Sequence, residues 1–125
     1  MPSYPLTRHL VNPQIPTMTA QQLEHITAEA LQLLQSLVAI PSVSRDETAA
    51  ADFLFDYLEQ RGANPQRHYN NIWCEQPLPK GDRPTLLLNA HIDTVKPAAT
   101  WQHNPFVPTL EGDRIYGLGS NDCGG

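Results

Sequence analysis

The residues with chemical potential lie in the last third of the chain, between Leu86 and Gly125. An apolar run leads directly into His91 and Asp93, and a further carboxylate, Asp122, follows in a glycine-rich stretch. Imidazole nitrogens and carboxylate oxygens are common ligands of zinc and of similar divalent ions. The spacing therefore predicts part of a metal site.

The His-x-Asp spacing suggests different roles for the two side chains. In extended backbone, residues two positions apart point to the same side, so Asp93 is expected to accept a hydrogen bond from one nitrogen of His91. The other nitrogen would then face the metal, since a carboxylate in that supporting position fixes the tautomer and raises the basicity of the ligand. Asp122 could bind one ion or bridge two ions about 3.5–4 Å apart, the arrangement of many hydrolases.

Upstream of these residues, the sequence predicts two amphipathic helices. Thr19 followed by Gln22 is a capping-box pattern, and the apolar face that follows ends before Pro41. Ser44 and Glu47 repeat the pattern for a second helix. The apolar positions of the first helix are Leu23, Ile26, Ala30, Leu33, Leu34, Leu37 and Val38; those of the second are Ala51, Leu54, Phe55 and Leu58, with Gly62 as its end.

Short strands are predicted after the helices. A turn at Asn70-Asn71 separates two of them, a proline-rich loop spans residues 77–84, and an apolar strand at Thr85–Ala90 is expected to be covered on both faces. A hairpin around Glu111-Gly112-Asp113 completes the pattern. The predicted strands are Pro65–Tyr69, Ile72–Glu75, Thr85–Ala90, Val107–Leu110 and Arg114–Tyr116. The expected fold class is α/β, with two helices followed by a mixed β-sheet that is incomplete.

Composition excludes several classes of function. The chain has 125 residues, 40% of them hydrophobic, and a formal net charge of −5, so neither nucleic acid nor an anionic membrane is an expected partner. No signal peptide or membrane-spanning run is present, which predicts a cytoplasmic protein with Cys74 and Cys123 as free thiols. Residues 1–18 contain several prolines and are expected to be a disordered extension.

The ordered set of motifs resembles the M20 family of metallopeptidases and deacylases over residues 19–125. The set is a strand, His-Ile-Asp-Thr-Val, a tryptophan, Pro-Phe, a hairpin, Tyr-Gly-Leu-Gly and an aspartate; its residues are His91 to Val95, Trp101, Pro105, Phe106, Tyr116 to Gly119 and Asp122. The resemblance implies the N-terminal portion of a zinc-peptidase-like catalytic domain that stops at the loop of the bridging aspartate. It also implies that His91 is a ligand to one zinc, that Asp93 is the supporting catalytic acid and that Asp122 bridges both ions.

The resemblance further implies an amidohydrolase that uses a metal-activated water on an N-acyl amino acid or a short peptide. Two zinc ions are the implied cofactors, with cobalt or manganese as alternatives, and full-length members of the family are often homodimers. Here Asp122 is followed by Cys123-Gly124-Gly125 without the lysine of many members. That departure is similar to the acetylornithine deacetylase branch, which belongs to arginine biosynthesis.

Several alternatives remain open at this stage. Within the M20 family a dipeptidase or carboxypeptidase is an alternative, and an aminopeptidase of the M28 type has similar ligand logic. A catalytic zinc needs about three protein ligands, whereas only His91 and Asp122 can be counted here, because the family's Glu pair, further Asp and late His do not occur within residues 1–125. The chain alone is therefore expected to be inactive, as a truncated fragment or a weak metal-binding module.

Overall fold

The computed structural model describes residues 17–76 and 84–124. Its elements, in chain order, are α1 Ala20–Val38, α2 Thr48–Gln60, β1 Gln66–His68, β2 Asn71–Trp73, β3 Thr109–Glu111 and β4 Arg114–Tyr116. Helices come first and strands follow, in agreement with the predicted α/β composition. The extension at residues 1–18 lies outside the described residues except for its last two positions, and so does most of the predicted loop at 77–84.

The first helix begins and ends where its sequence predicts. The Thr19 hydroxyl accepts a hydrogen bond from the Gln22 amide at 3.2 Å, and the Gln22 side chain accepts one from the Thr19 amide at 2.9 Å. The helix ends at Val38, ahead of Pro41. Gly62, with a φ of 70°, follows the end of α2, which also agrees with the prediction.

The predicted capping box at the start of α2 is wrong. The helix begins at Thr48, and its N-cap residue, Glu47, makes no side-chain hydrogen bond to the first turn. Arg45 has a φ of 78°, which breaks the helical path between Ser44 and the first turn. The hydroxyl of Ser44 donates to Asp93 instead, 49 positions along the chain. A distant partner has therefore replaced the local one.

Both predicted hairpins are present, although the first turn differs by one residue. In that hairpin β1 pairs with β2, and the turn is Tyr69-Asn70 rather than Asn70-Asn71. Tyr69 takes a φ of 53°, and the Asn70 side chain donates to Glu47 at 3.0 Å, which ties the turn to the start of α2. In the second hairpin β3 pairs with β4 around Gly112, whose φ is 64°.

The predicted mixed sheet and its strand at Thr85–Ala90 are wrong for the part of the chain that the structure describes. The two hairpins are separate two-stranded antiparallel sheets. Leu86, Leu87 and Leu88 are 81–84% exposed rather than covered. A strand requires a neighbouring strand to accept and donate its backbone hydrogen bonds, and no described segment lies beside these leucines.

The buried core of the described residues is small. Its apolar members are Val38 at the end of α1, Ala50 and Ala51 in α2, and Leu118, each at most 7% exposed. Residues of α1 further from this cluster stay in water, since Leu23 and Ile26 are 58% and 49% exposed. Within residues 17–76 and 84–124, no helix has the length and apolar character to cross a membrane.

Replacing Thr19 with alanine tests the first helix. The T19A variant removes the hydroxyl that accepts from the Gln22 amide and leaves that amide without its cap, so we expect the free energy of unfolding to fall by about 1 kcal/mol. Chemical denaturation followed by circular dichroism measures the change. The matched control is T27A, whose hydroxyl donates only to the Leu23 carbonyl within the same helix. An equal loss in both variants would contradict the capping role.

Candidate metal centre

A short backbone pairing brings the loop before α2 against the segment that carries the site. Thr94 donates from its amide to the Ser42 carbonyl at 2.8 Å, and Ser44 donates from its amide to the Thr94 carbonyl at 3.0 Å. These bonds form an isolated parallel bridge between Val43 and Thr94. Asp93 therefore lies directly beside Ser44, and the residue that follows Asp93 is hydrogen-bonded to the loop before α2.

His91 stands between the two predicted carboxylates. Its Nδ1 lies 3.0 Å from the Asp93 carbonyl oxygen and 3.2 Å from Asp93 Oδ1. Its Nε2 lies 2.9 Å from Asp122 Oδ1. The structure thus brings together all three residues that the sequence singled out, with one ring nitrogen directed to each aspartate.

The loop that carries Asp122 turns sharply on Gly119. This glycine has a φ of 81°, and a Cβ atom there would lie 2.9 Å from the Thr94 side chain, so both conformation and space favour glycine. The Gly124 amide donates to the Gly119 carbonyl at 3.1 Å, which closes the loop, and the peptide bond between Asp122 and Cys123 is cis. The loop places the Asp122 carboxylate in reach of His91.

Hydrogen bonds within the site favour the charged forms of His91 and Asp93. The hydrogen bond to the Asp122 carboxylate, followed by the one to the Asp93 carbonyl, raises the pKa of His91 above its ordinary value. The Ser44 hydroxyl, which donates to Asp93 Oδ2 at 2.5 Å, is the main cause of a lowered pKa for Asp93. All of these groups lie in water, since the side chains of His91, Asp93 and Asp122 are 48%, 40% and 87% exposed.

The two ring nitrogens of His91 each face an acceptor oxygen. Only the imidazolium form carries a proton on both nitrogens, so it alone can donate to Asp93 and to Asp122 at once. In that form the Nε2 proton lies between Nε2 and Asp122 Oδ1. A divalent cation that binds both atoms would have to replace this proton.

The donor atoms suit a divalent ion in type and nearly in spacing. Bonds of about 2.0–2.2 Å to zinc, at a tetrahedral angle, would separate the two ligand atoms by roughly 3.3 Å. His91 Nε2 and Asp122 Oδ1 are 2.9 Å apart, so a few tenths of an ångström of movement would admit the ion. Across residues 17–76 and 84–124, no cluster of three or more His, Cys, Asp or Glu side chains forms a complete metal site.

An open cleft of about 360 Å³ surrounds these groups. Ser44, Trp101 and Val95 line it together with the site residues and the loop of Asp122. Ser44 was missed as a site residue by sequence reasoning, because its Ser-x-x-Glu spacing predicts a helix cap. Its proximity to Asp93 carries no local sequence signal.

Other histidines and both cysteines of residues 17–76 and 84–124 make different contacts or none to the site. His25 lies 3.8 Å from Glu29 on the same helix, and His103 stacks on the Tyr116 ring with centroids 4.5 Å apart. Cys74 and Cys123 are exposed free thiols, as the sequence predicts.

Removing the charge of Asp122 tests the electrostatics of the metal-free site. In a D122N variant the pKa of His91 should fall toward 6.5, because a neutral amide stabilises the imidazolium less than a carboxylate does. Because that pKa is raised on folding, the stabilisation from this pair is complete below pH 6.5 and is lost as the pH rises through the folded-state pKa. NMR titration of the His91 ring measures the shift. The matched control, D113N in the second hairpin turn, should leave the His91 titration unchanged; an unchanged curve in D122N would contradict the pairing.

Comparison with characterised proteins adds an independent observation. The chain is 30% identical to the succinyl-diaminopimelate desuccinylase of Delftia acidovorans over 76% of its length, and 32% identical to that of Methylobacterium sp. over 79%. A desuccinylase of Anaplasma marginale is 28% identical over 75% of the chain. No protein-family model matches.

These matches cover only part of each relative. The chain spans about a quarter of their length, 27% for the first two and 26% for the third. The resemblance predicted from the motifs is nevertheless confirmed for the region compared: over about three quarters of its length, this chain is related to amidohydrolases of the M20 family that are named desuccinylases.

Proposed function

We propose that this chain carries part of the metal centre of an amidohydrolase that removes the acyl group from an N-acyl amino acid. The observation that carries the proposal is the convergence of His91 Nε2 and Asp122 Oδ1 at 2.9 Å, with Asp93 against the opposite nitrogen. The similarity to desuccinylases supports the same class of reaction. A zinc-peptidase-like catalytic domain is the proposed setting of this centre.

Each residue has a distinct proposed role. His91 and Asp122 would be metal ligands, and the second oxygen of Asp122 is available to a neighbouring ion, so that this carboxylate would bridge two. Asp93 would hold the imidazole through Nδ1 and keep the Nε2 lone pair directed at the metal. When bound, zinc, cobalt or manganese would polarise the amide carbonyl and lower the pKa of a water.

The acyl group is proposed from two different observations. The relatives are named for removing a succinyl group from diaminopimelate, which favours a succinylated amino acid. The Cys123-Gly124-Gly125 sequence after Asp122 is similar to the acetylornithine deacetylase branch and favours an acetylated one. Both substrates are N-acyl amino acids, and the assay below distinguishes them from each other and from short peptides.

Zinc titration tests the metal ligands in the chain of residues 1–125. We expect weak binding, well short of the roughly 10–16 kcal/mol of structural zinc sites, because the described residues supply two ligands. H91A and D122A should abolish the remaining heat in calorimetry at neutral pH. The control H103A removes an imidazole that stacks on Tyr116 and should bind zinc like the wild type.

Two results would contradict this expectation. Tight zinc binding that is lost in both ligand variants would show that two ligands are enough or that others contribute. Binding that persists in both variants would place the metal elsewhere and would refute the ligand assignment.

Turnover is tested in two steps. The zinc-loaded chain should give no measurable hydrolysis of N-succinyl amino acids, N-acetyl amino acids or dipeptides, and robust metal-dependent cleavage would overturn that expectation. The source gene should then be sequenced through and beyond codon 125. If the frame continues and encodes a Glu-Glu pair, an Asp and a late His, its longer product should cleave an N-acyl amino acid; failure with every acyl substrate would refute the proposed function.

A further inference from the structure

We propose that Ser44 is a positioning residue of the metal centre, whose hydroxyl holds the Asp93 carboxylate in the orientation that orders His91. The inference deepens the proposed function and depends on it for its catalytic meaning. The hydroxyl donates to Asp93 Oδ2 at 2.5 Å, which leaves Oδ1 of the same carboxylate 3.2 Å from His91 Nδ1. One oxygen is thereby assigned to the serine and the other to the histidine.

The backbone fixes Ser44 where this contact forms. Its amide donates to the Thr94 carbonyl at 3.0 Å, and the Thr94 amide donates to the Ser42 carbonyl at 2.8 Å. The two bonds flank Val43, so the backbone that enters Ser44 is held by the residue that follows Asp93. Little further conformational entropy is lost when its short side chain donates to the carboxylate.

Exposure gives this hydrogen bond its importance. The Asp93 side chain is 40% exposed and that of His91 is 48% exposed, so water competes for both. A carboxylate with one anchored oxygen cannot rotate about its χ angles without breaking that bond. The Ser44 hydroxyl therefore restricts the rotamer of Asp93, as close packing does for a carboxylate in a buried site.

The Ser44 hydroxyl does not cap the helix that follows it. The Ser-x-x-Glu spacing suits Ser44 as the cap of α2, a role that stabilises a helix. The helix instead begins at Thr48 with no side-chain cap. The alternative acceptor of the hydroxyl, the Thr94 carbonyl, lies farther away at 3.4 Å, so the carboxylate is the favoured partner.

The experiment compares S44A, S44T and the control S36A in the chain of residues 1–125. Ser36 donates only to the Gln32 carbonyl within α1, so S36A removes a hydroxyl without touching the site. NMR couplings that report the χ1 rotamer of Asp93 are measured in the metal-free chain. Zinc affinity is measured by calorimetry on the same samples.

We expect one dominant Asp93 rotamer in the wild type, S44T and S36A, and averaged rotamers in S44A. Loss of a partner that orients a metal ligand typically weakens metal binding by about 10–100-fold. Ser44 acts on that partner and not on the ligand, so S44A should bind zinc up to about tenfold more weakly, while S44T recovers most of the affinity. The recovery in S44T separates a positioning hydroxyl from a general structural role, because both variants disturb packing.

Three results would overturn the proposal. They are an unaveraged Asp93 rotamer in S44A, equal losses in S44A and S44T while circular dichroism shows both folded, and, where the wild type binds zinc, equal zinc affinity in S44A and S36A. The rotamer measurement needs no metal, so it separates this inference from the function itself. If the wild type binds no zinc while S44A still releases Asp93, the positioning role stands and the metal assignment fails.

Discussion

The pairing of the Ser42–Ser44 backbone with Thr94 is the contact on which the rest of the site depends. The buried core is small, so side-chain packing alone does little to hold the helices against the segment that carries His91 and Asp93. Two backbone hydrogen bonds of 2.8 and 3.0 Å make that connection. Because these bonds are made by backbone atoms, they bring positions 44 and 93 close together whatever side chains those positions carry.

The electrostatic state of the site follows from its openness. The side chains of His91 and Asp93 remain in contact with water, and hydrogen bonds outweigh desolvation in raising the pKa of His91 and lowering that of Asp93. Two carboxylates on either side of one imidazole favour its protonated form, and the same negative field would favour a divalent cation. A proton and a metal ion would therefore compete for the same negatively charged groups. Metal binding is expected to become tighter as the pH rises.

Sequence alone predicts what local interactions decide. The cap at Thr19, the end of α1 before Pro41 and the glycine turn of the second hairpin depend on residues three or four positions apart. The proximity of His91, Asp93 and Asp122 was also expected, because their spacing matched a known motif. In these cases the physical partners lie close in sequence or belong to a pattern that is already recognised.

Prediction from sequence failed where a side chain binds a distant partner in place of a local one, and where a predicted strand has no neighbouring strand among the described residues. Ser44 has the spacing of a helix cap, yet a carboxylate 49 positions away binds its hydroxyl. The Thr85–Ala90 segment has the composition of a buried strand, but composition cannot provide the neighbouring strand that its backbone groups require. The first hairpin turn is Tyr69-Asn70, one residue earlier than predicted, and the Asn70 side chain in that turn donates to Glu47, a contact that hairpin rules do not include.

The exposed leucines have a consequence for how the chain behaves in concentrated solution. Residues 85–90, Thr-Leu-Leu-Leu-Asn-Ala, carry no charge and no proline, and Leu86–Leu88 lie almost wholly in water. Uncharged apolar segments with free backbone groups are templates for edge-to-edge association and fibril growth. The stretch that leads into the proposed metal ligands is therefore also an aggregation-prone segment, and the colloidal stability of this chain depends on keeping these three leucines away from their copies.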